Sequence, residues 1–153
     1  MKVKKLVYVA LVLTILLYGS ECWSLTEKLC KRLCAFHFGC IRSMCRVTRL
    51  HTRWHDISNA DLLARTGLQT IEAYLAKRQL RWAGHVARMP NNRLPRKMLS
   101  CWVPHKRPRG APQMTYGRSL RKLLRKAEIP VENWHDLAKD RVPWRELITV
   151  NAI

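Results

Sequence analysis

The chain has 153 residues, with 29 lysines and arginines against 10 acids and a formal net charge of +19. That length allows one small domain or two very small ones, and a hydrophobic fraction of 48% supports a packed core, which argues against a disordered chain. A metal-dependent phosphoryl-transfer centre is hard to build here. It needs clustered carboxylates to hold Mg²⁺, and no two acids stand closer than four residues apart.

Met1-Lys-Val-Lys-Lys5 precedes a thirteen-residue run, Leu6–Tyr18, whose single polar member is Thr14. A bilayer-spanning helix takes ~20 apolar residues, so the run predicts a buried helix ending near Gly19. The same outline, basic then apolar then the small Gly19 and Ser20, is that of a secretory signal. On that alternative the chain is a secreted cationic, cysteine-containing protein acting on anionic membranes. Cleavage after Ser20 would, however, put Tyr18 where a small residue is required, and no disulfide framework follows.

Thr26 is placed to cap a helix reaching about Arg46, with an apolar stripe of Leu29, Leu33, Phe36, Cys40 and Met44. Cys30, Cys34, Cys40 and Cys45 share this helix and read as small hydrophobes in a reduced, intracellular chain, nuclear or cytoplasmic. A zinc pattern can be forced from Cys40-x4-Cys45 and His51-x3-His55, but five residues between the pairs is far short of the usual dozen. No metal and no cofactor are expected.

Arg49 to Ile57 reads as a polar connection. Ser58-Asn-Ala-Asp61 resembles a capping box that opens a short helix stopped by Gly67. Thr70 caps a longer helix to Met89, halted by Pro90. Ile71, Leu75, Trp82, Val86 and Met89 predict its core face. Tyr74, Arg78, Arg81, His85 and Arg88 form a second row at steps of four, three, four and three.

Between Lys77 and Lys126 stand fifteen lysines and arginines and no acid. A solvated helix surface gains from mixed signs, and a block of one sign over fifty residues calls for phosphates. Arg93–Trp102 predicts a short helix with Pro95 in its first turn. Pro104 to Pro112 is a proline-rich basic loop that displays Lys106, Arg107 and Arg109 on extended backbone. Met114–Ala127 predicts a helix with Leu120, Leu123, Leu124 and Ala127 inside and Arg118, Arg121, Lys122, Arg125 and Lys126 outside. Pro130 leads a final helical region that Pro143 is expected to break in two.

No alternating strand pattern occurs. The expected fold is all-α, a small irregular helical bundle with a proline-rich basic loop, in segments 4–50, 51–103, 104–113 and 114–149. The chain also lacks a Gly-rich phosphate loop and a Gly-x-Ser-x-Gly elbow, and Cys101 with His105 is an incidental pair. The chemistry on offer is binding. The expected partner is an RNA or DNA backbone, with no small-molecule substrate and a membrane only on the secreted alternative. The candidate contacts are Arg78, Arg81, His85 and Arg88; Lys106, Arg107 and Arg109; and Arg118, Arg121, Lys122 and Arg125. Tyr74 or Trp102 is a candidate for stacking on a base.

Several longer strings occur in order: Lys5-Leu-Val-Tyr-Val-Ala10, Leu16-Leu-Tyr-Gly-Ser-Glu-Cys-Trp-Ser-Leu-Thr26, Leu80-Arg-Trp-Ala-Gly-His-Val-Ala-Arg-Met-Pro90, Arg93-Leu-Pro95, Arg107-Pro-Arg-Gly-Ala-Pro112 and Asp140-Arg-Val-Pro-Trp-Arg145. Together they closely resemble the C-terminal region of LINE-type, non-LTR retrotransposon reverse transcriptases, over roughly Lys4 to Ile148. The resemblance implies the thumb and the segment after it, which grip template RNA and the primer duplex. The family's catalytic aspartates lie upstream, in a Tyr/Phe-x-Asp-Asp motif and an earlier Asp, and neither motif occurs here. The implied function is that of a nucleic-acid-binding remnant of an RNA-directed DNA polymerase, without catalysis of its own. The resemblance also implies that the apolar run is the helix entering the thumb.

Overall fold

The computed structural model describes residues 2–100 and 116–151, and among them all regular structure is helical, with no strand. The all-α expectation holds for these residues. The proline-rich loop with Lys106, Arg107 and Arg109, and Trp102, lie outside the described residues. The chain divides into two compact units, one of Met1–Ser20 and Thr26–Leu75, the other of Glu21–Leu25 and Ala76–Ile153.

The first unit begins with α1 (Lys2–Val7), a π-helical turn (Tyr8–Val12) and α2 (Leu13–Leu16). The π turn sets which side is buried. Its i→i+5 repeat, closed by the Leu13 N–H on the Tyr8 carbonyl, brings Tyr8 and Leu13 to one side, and Leu17 follows four residues on. The one polar residue of the run, Thr14, donates its hydroxyl to the Val9 carbonyl at 3.3 Å. The expected buried helix is therefore only half buried: Tyr8, Leu13 and Leu17 are inside, while Leu6, Leu11, Ile15 and Tyr18 are exposed, Tyr18 to 84%. The leading lysines cap other helices. Lys5 Nζ donates to the Gly67 carbonyl at 2.6 Å, and Lys4 Nζ to the Met44 carbonyl at 3.4 Å.

Helix α3 (Glu27–Cys45) starts where Thr26 accepts the Leu29 N–H at 3.4 Å. Its buried stripe is displaced from the expected one. His37 and Ile41 are fully buried and Cys30 and Cys34 partly so, whereas Leu29 and Phe36 are exposed. Hydropathy pointed to the leucine and phenylalanine; the fold buries a histidine because it gives both ring nitrogens a partner. The connection expected at Arg49 to Ile57 contains a short helix, α4 (Arg49–Trp54), capped by Thr48 on the His51 N–H at 3.1 Å. Helix α5 (Asn59–Thr66) opens on the expected capping box: Ser58 Oγ accepts the Asp61 N–H at 3.1 Å and Asp61 accepts the Ser58 N–H at 2.9 Å. The Ser58 hydroxyl, which donates to Asp61 Oδ2 at 2.7 Å, and then the Ser58 N–H hold the Asp61 carboxyl below the usual carboxylate range. Gly67 ends the helix in the left-handed region at φ 61.

His37 ties three parts of this unit together. Its Nε2 lies 3.0 Å from the Gln69 carbonyl and its Nδ1 2.7 Å from the Tyr8 hydroxyl. A carbonyl only accepts, so Nε2 carries the proton and the neutral ring accepts from Tyr8 at Nδ1. Burial holds this histidine below its ordinary pKa of 6.5 and raises the Tyr8 hydroxyl's. A histidine kept neutral in the fold takes up its proton first in the unfolded chain. Its contribution is complete above about 6.5 and declines as pH falls below it. Between pH 7 and pH 5 the urea midpoint of the full chain is expected to fall, and His37→Phe is expected to flatten that fall. An equal fall in the variant would assign the effect elsewhere, first to His135, which burial and Arg96 also hold low.

Helix α6 (Ile71–Ala87) is capped by Thr70, whose Oγ1 accepts the Ala73 N–H at 3.1 Å. Its first turn lies in the first unit, where Ile71, Ala73 and Leu75 are buried, and it ends two residues before the expected Met89. The remainder belongs to the second unit with α7 (Leu94–Ser100), α8 (Tyr116–Lys126), α9 (Trp134–Leu137) and α10 (Arg141–Asn151). One core cluster joins Leu80, Ala83 and Ala87 to Leu120, Leu124, Ala127, Ile129, Trp134, Ala138, Trp144 and Ile148. Trp82, expected in the core, is half-buried; Leu80, Ala83 and Gly84 take the inner positions. Pro143 does not divide the last helical region. The division falls at 138–140, and Pro143 sits in the first turn of α10, where a missing N–H costs nothing.

Candidate nucleic-acid interface

Helix α8 sorts its side chains cleanly. Leu120, Leu124 and, just past its end, Ala127 are buried, while Arg118, Arg121, Lys122 and Arg125 are exposed. Positions 118, 122 and 125, with 121 one turn before 125, stack on one side at steps of three and four. No acid lies within the helix; the next is Glu128, past its end. The leucines fix the cations outward. Turning the helix to hide them would expose the two leucines that complete the core. At the start of the helix Tyr116 is half-buried, with its hydroxyl pushed up to about 12 by burial and then by Cys22.

The row predicted on α6 is split by its partners. Arg81 and His85 are exposed. Arg78, whose side chain is 33% exposed, reaches Glu21 at 3.1 Å. Arg88 donates Nη1 to the Ala138 carbonyl at 2.6 Å, the C-cap of α9. A guanidinium on a helix's last carbonyls completes backbone acceptors as well as placing positive charge at the negative end of the dipole. Arg96, from the same charge block, donates Nη1 to His135 Nδ1 at 3.0 Å. Tyr74 is half-buried in the first unit, edge-on to His37 with centroids 6.3 Å apart. Counting acids within the block missed these partners, because Glu21 lies 57 residues away in sequence and the other acceptors are a carbonyl and a ring nitrogen.

The structure also gathers a group absent from the sequence reading. Cys30 and Cys34, one turn apart on α3, lie 3.7 Å and 3.9 Å from Glu72 Oε1 in the first turn of α6. The three donor atoms lie within 4.8 Å of one another, and this is the group of three or more such donors found among the described residues. The forced zinc pattern of Cys40, Cys45, His51 and His55 does not assemble, although His51 and His55 stack with centroids 4.2 Å apart. The five described cysteines are free thiols.

Among the comparisons with known proteins, a transposon-derived protein of Caenorhabditis elegans is 31% identical over 156 residues. The alignment covers 99% of this chain and 56% of that protein, so the chain spans about half the length of the relative it matches. The similarity points to a transposon origin. No family model matches the sequence, and no solved structure matches the fold. Two strings quoted above come together as a packing pair in the second unit. Gly84, from the Arg-Trp-Ala-Gly-His string, lies against Trp144, from the Val-Pro-Trp-Arg string, and the Trp144 indole donates Nε1–H to the Leu80 carbonyl at 3.1 Å. No helix of the described residues is long and apolar enough to cross a membrane.

Proposed function

We propose that the chain is a nucleic-acid-binding part of a LINE-type retrotransposon RNA-directed DNA polymerase, acting within the cell by gripping an RNA or primer-template backbone and carrying no catalysis of its own. The observation that carries this reading is the cationic side of α8, whose Arg118, Arg121, Lys122 and Arg125 are exposed together while its leucines anchor the helix. Arginine forks suit phosphate oxygens, and their attraction is independent of base sequence. The transposon-derived relative supports the origin, and the sequence strings support the finer placement in a reverse transcriptase. The exposed Arg81 and His85 supply a second, smaller contact.

The α6 row gives a test that separates binding from folding. The triple change of Arg78, Arg81 and Arg88 to Ala is expected to weaken single-stranded RNA binding at low salt. Part of that loss comes through the fold, because Arg78 and Arg88 hold Glu21 and the Ala138 carbonyl. Arg81→Ala alone is expected to cost roughly fivefold in affinity at ~0.1 M salt, the worth of about one phosphate contact on a single strand, with an unchanged melting temperature. Unchanged affinity with a flat salt dependence for the triple variant would remove α6 from the interface.

A further inference from the structure

The geometry points to a thiolate metal site on the first unit, formed by Cys30, Cys34 and Glu72 and taking one soft divalent ion of the zinc class, with a solvent molecule as fourth ligand. This inference does not depend on nucleic-acid binding.

The spacing is that of ligands. In a tetrahedral zinc site with Zn–S near 2.3 Å and Zn–O near 2.1 Å, the sulfur-to-oxygen edge comes to about 3.6 Å. The observed edges are 3.7 Å from Cys30 Sγ and 3.9 Å from Cys34 Sγ to Glu72 Oε1. Residues four apart on a helix project side by side, so α3 supplies two sulfurs on one side without distortion, and the carboxylate comes from a separate helix. Three protein donors leave a tetrahedral ion one open position, which water fills.

The surroundings fit a cation. The two thiols are half-buried and Glu72 is exposed, so a bound ion would be screened from water on its sulfur side and open to it on the carboxylate side. Burial first, then the neighbouring Cys34 and Glu72, push the Cys30 thiol up to about 11, and burial and Glu72 raise Cys34. A divalent ion reverses that balance, because it deprotonates the thiols that ligate it and neutralises the gathered negative charge. Two thiolates select a soft ion over Mg²⁺ or Ca²⁺, which prefer oxygen donors. An ion held this way would staple the first two turns of α3 to the first turn of α6.

The site is tested by titrating the reduced full chain with Co²⁺, read by the sulfur-to-cobalt charge-transfer band, and then displacing it with Zn²⁺. The expected result is one equivalent per chain, with tetrahedral visible bands, and a higher melting temperature in Zn²⁺. Cys30→Ser and Cys34→Ser are each expected to remove more than ~100-fold of the affinity, beyond the ~10–100-fold that outer-shell changes cost. Glu72→Gln should keep the charge-transfer band and weaken binding, while Cys45→Ser should leave the titration unchanged. Circular dichroism of each metal-free variant separates lost ligands from lost fold. Binding by folded Cys30→Ser and Cys34→Ser proteins as tight as that of the unaltered chain, or no charge-transfer band in the unaltered chain, would overturn the site.

Discussion

Gly84→Ala is expected to be among the most damaging single-methyl additions in this chain, lowering stability by about 3 kcal/mol or more. In an open helix the same change helps, by roughly 0.5–1 kcal/mol, because alanine restricts the unfolded chain. At Gly84 a Cβ would stand 2.1 Å from Trp144 Nε1, 2.6 Å from Cδ1 and 2.9 Å from Cε2. Trp144 cannot swing aside. It is 2% exposed, sits in the core with Trp134 at a 6.2 Å centroid distance, and spends its indole N–H on the Leu80 carbonyl. Overpacking of this kind costs about 1–3 kcal/mol and occasionally more, and losing the indole hydrogen bond adds about 1 kcal/mol. For a domain of this size the melting temperature should drop by roughly 10 °C. Gly39→Ala is the control: it is mid-helix in α3 with nothing within 4 Å of the added carbon, and it should raise stability slightly. Equal shifts in the two thermal melts would refute the packing described for α6 and α10.

The same pair shows what a sequence reading conveys and what it does not. The strings containing Gly84 and Trp144 stand out by resemblance, and the string around Gly84 is dense in basic residues, which invites a binding role. Their contact, sixty residues apart, is what makes the glycine necessary, and no local pattern carries it. Local chemistry was legible where it is truly local. Thr26, Ser58 with Asp61, Gly67 and Thr70 end or start helices where expected, because each cap is settled within four residues. The apolar stripe of α3 was misplaced because His37 is buried through Tyr8 and the Gln69 carbonyl, 29 and 32 residues away. The Glu72 carboxylate beside Cys30 and Cys34 was not legible for a similar reason, since it lies on another helix. The partners of the α6 cations were not legible, because a carbonyl acceptor such as that of Ala138 leaves no trace in a charge count. The outward orientation of the α8 cations was legible, since Leu120 and Leu124 within the same three turns fix it.

The second large effect falls on α8. Changing Arg118, Arg121, Lys122 and Arg125 together to Ala should lower affinity for single-stranded RNA by several hundredfold at ~0.1 M salt. Each phosphate contact on a single strand contributes a slope of about −0.7 in log affinity against log salt, or about fivefold per contact at that concentration, and four contacts multiply. The fold should persist, because alanine is the best helix former and the leucine side is untouched. A variant that melts like the unaltered protein yet binds far more weakly places the contacts on this helix. A variant that binds as before removes α8 from the interface.

The central claim, that this chain engages a phosphodiester backbone through exposed cations, is tested most directly by the salt dependence of RNA binding by the unaltered full chain. Anisotropy titrations of a labelled single strand from low to moderate salt should give a straight line of log affinity against log salt with a slope of about −3.5, the sum of four α8 contacts and Arg81 at about −0.7 each. A slope near zero, or no binding at the lowest salt, would contradict the account.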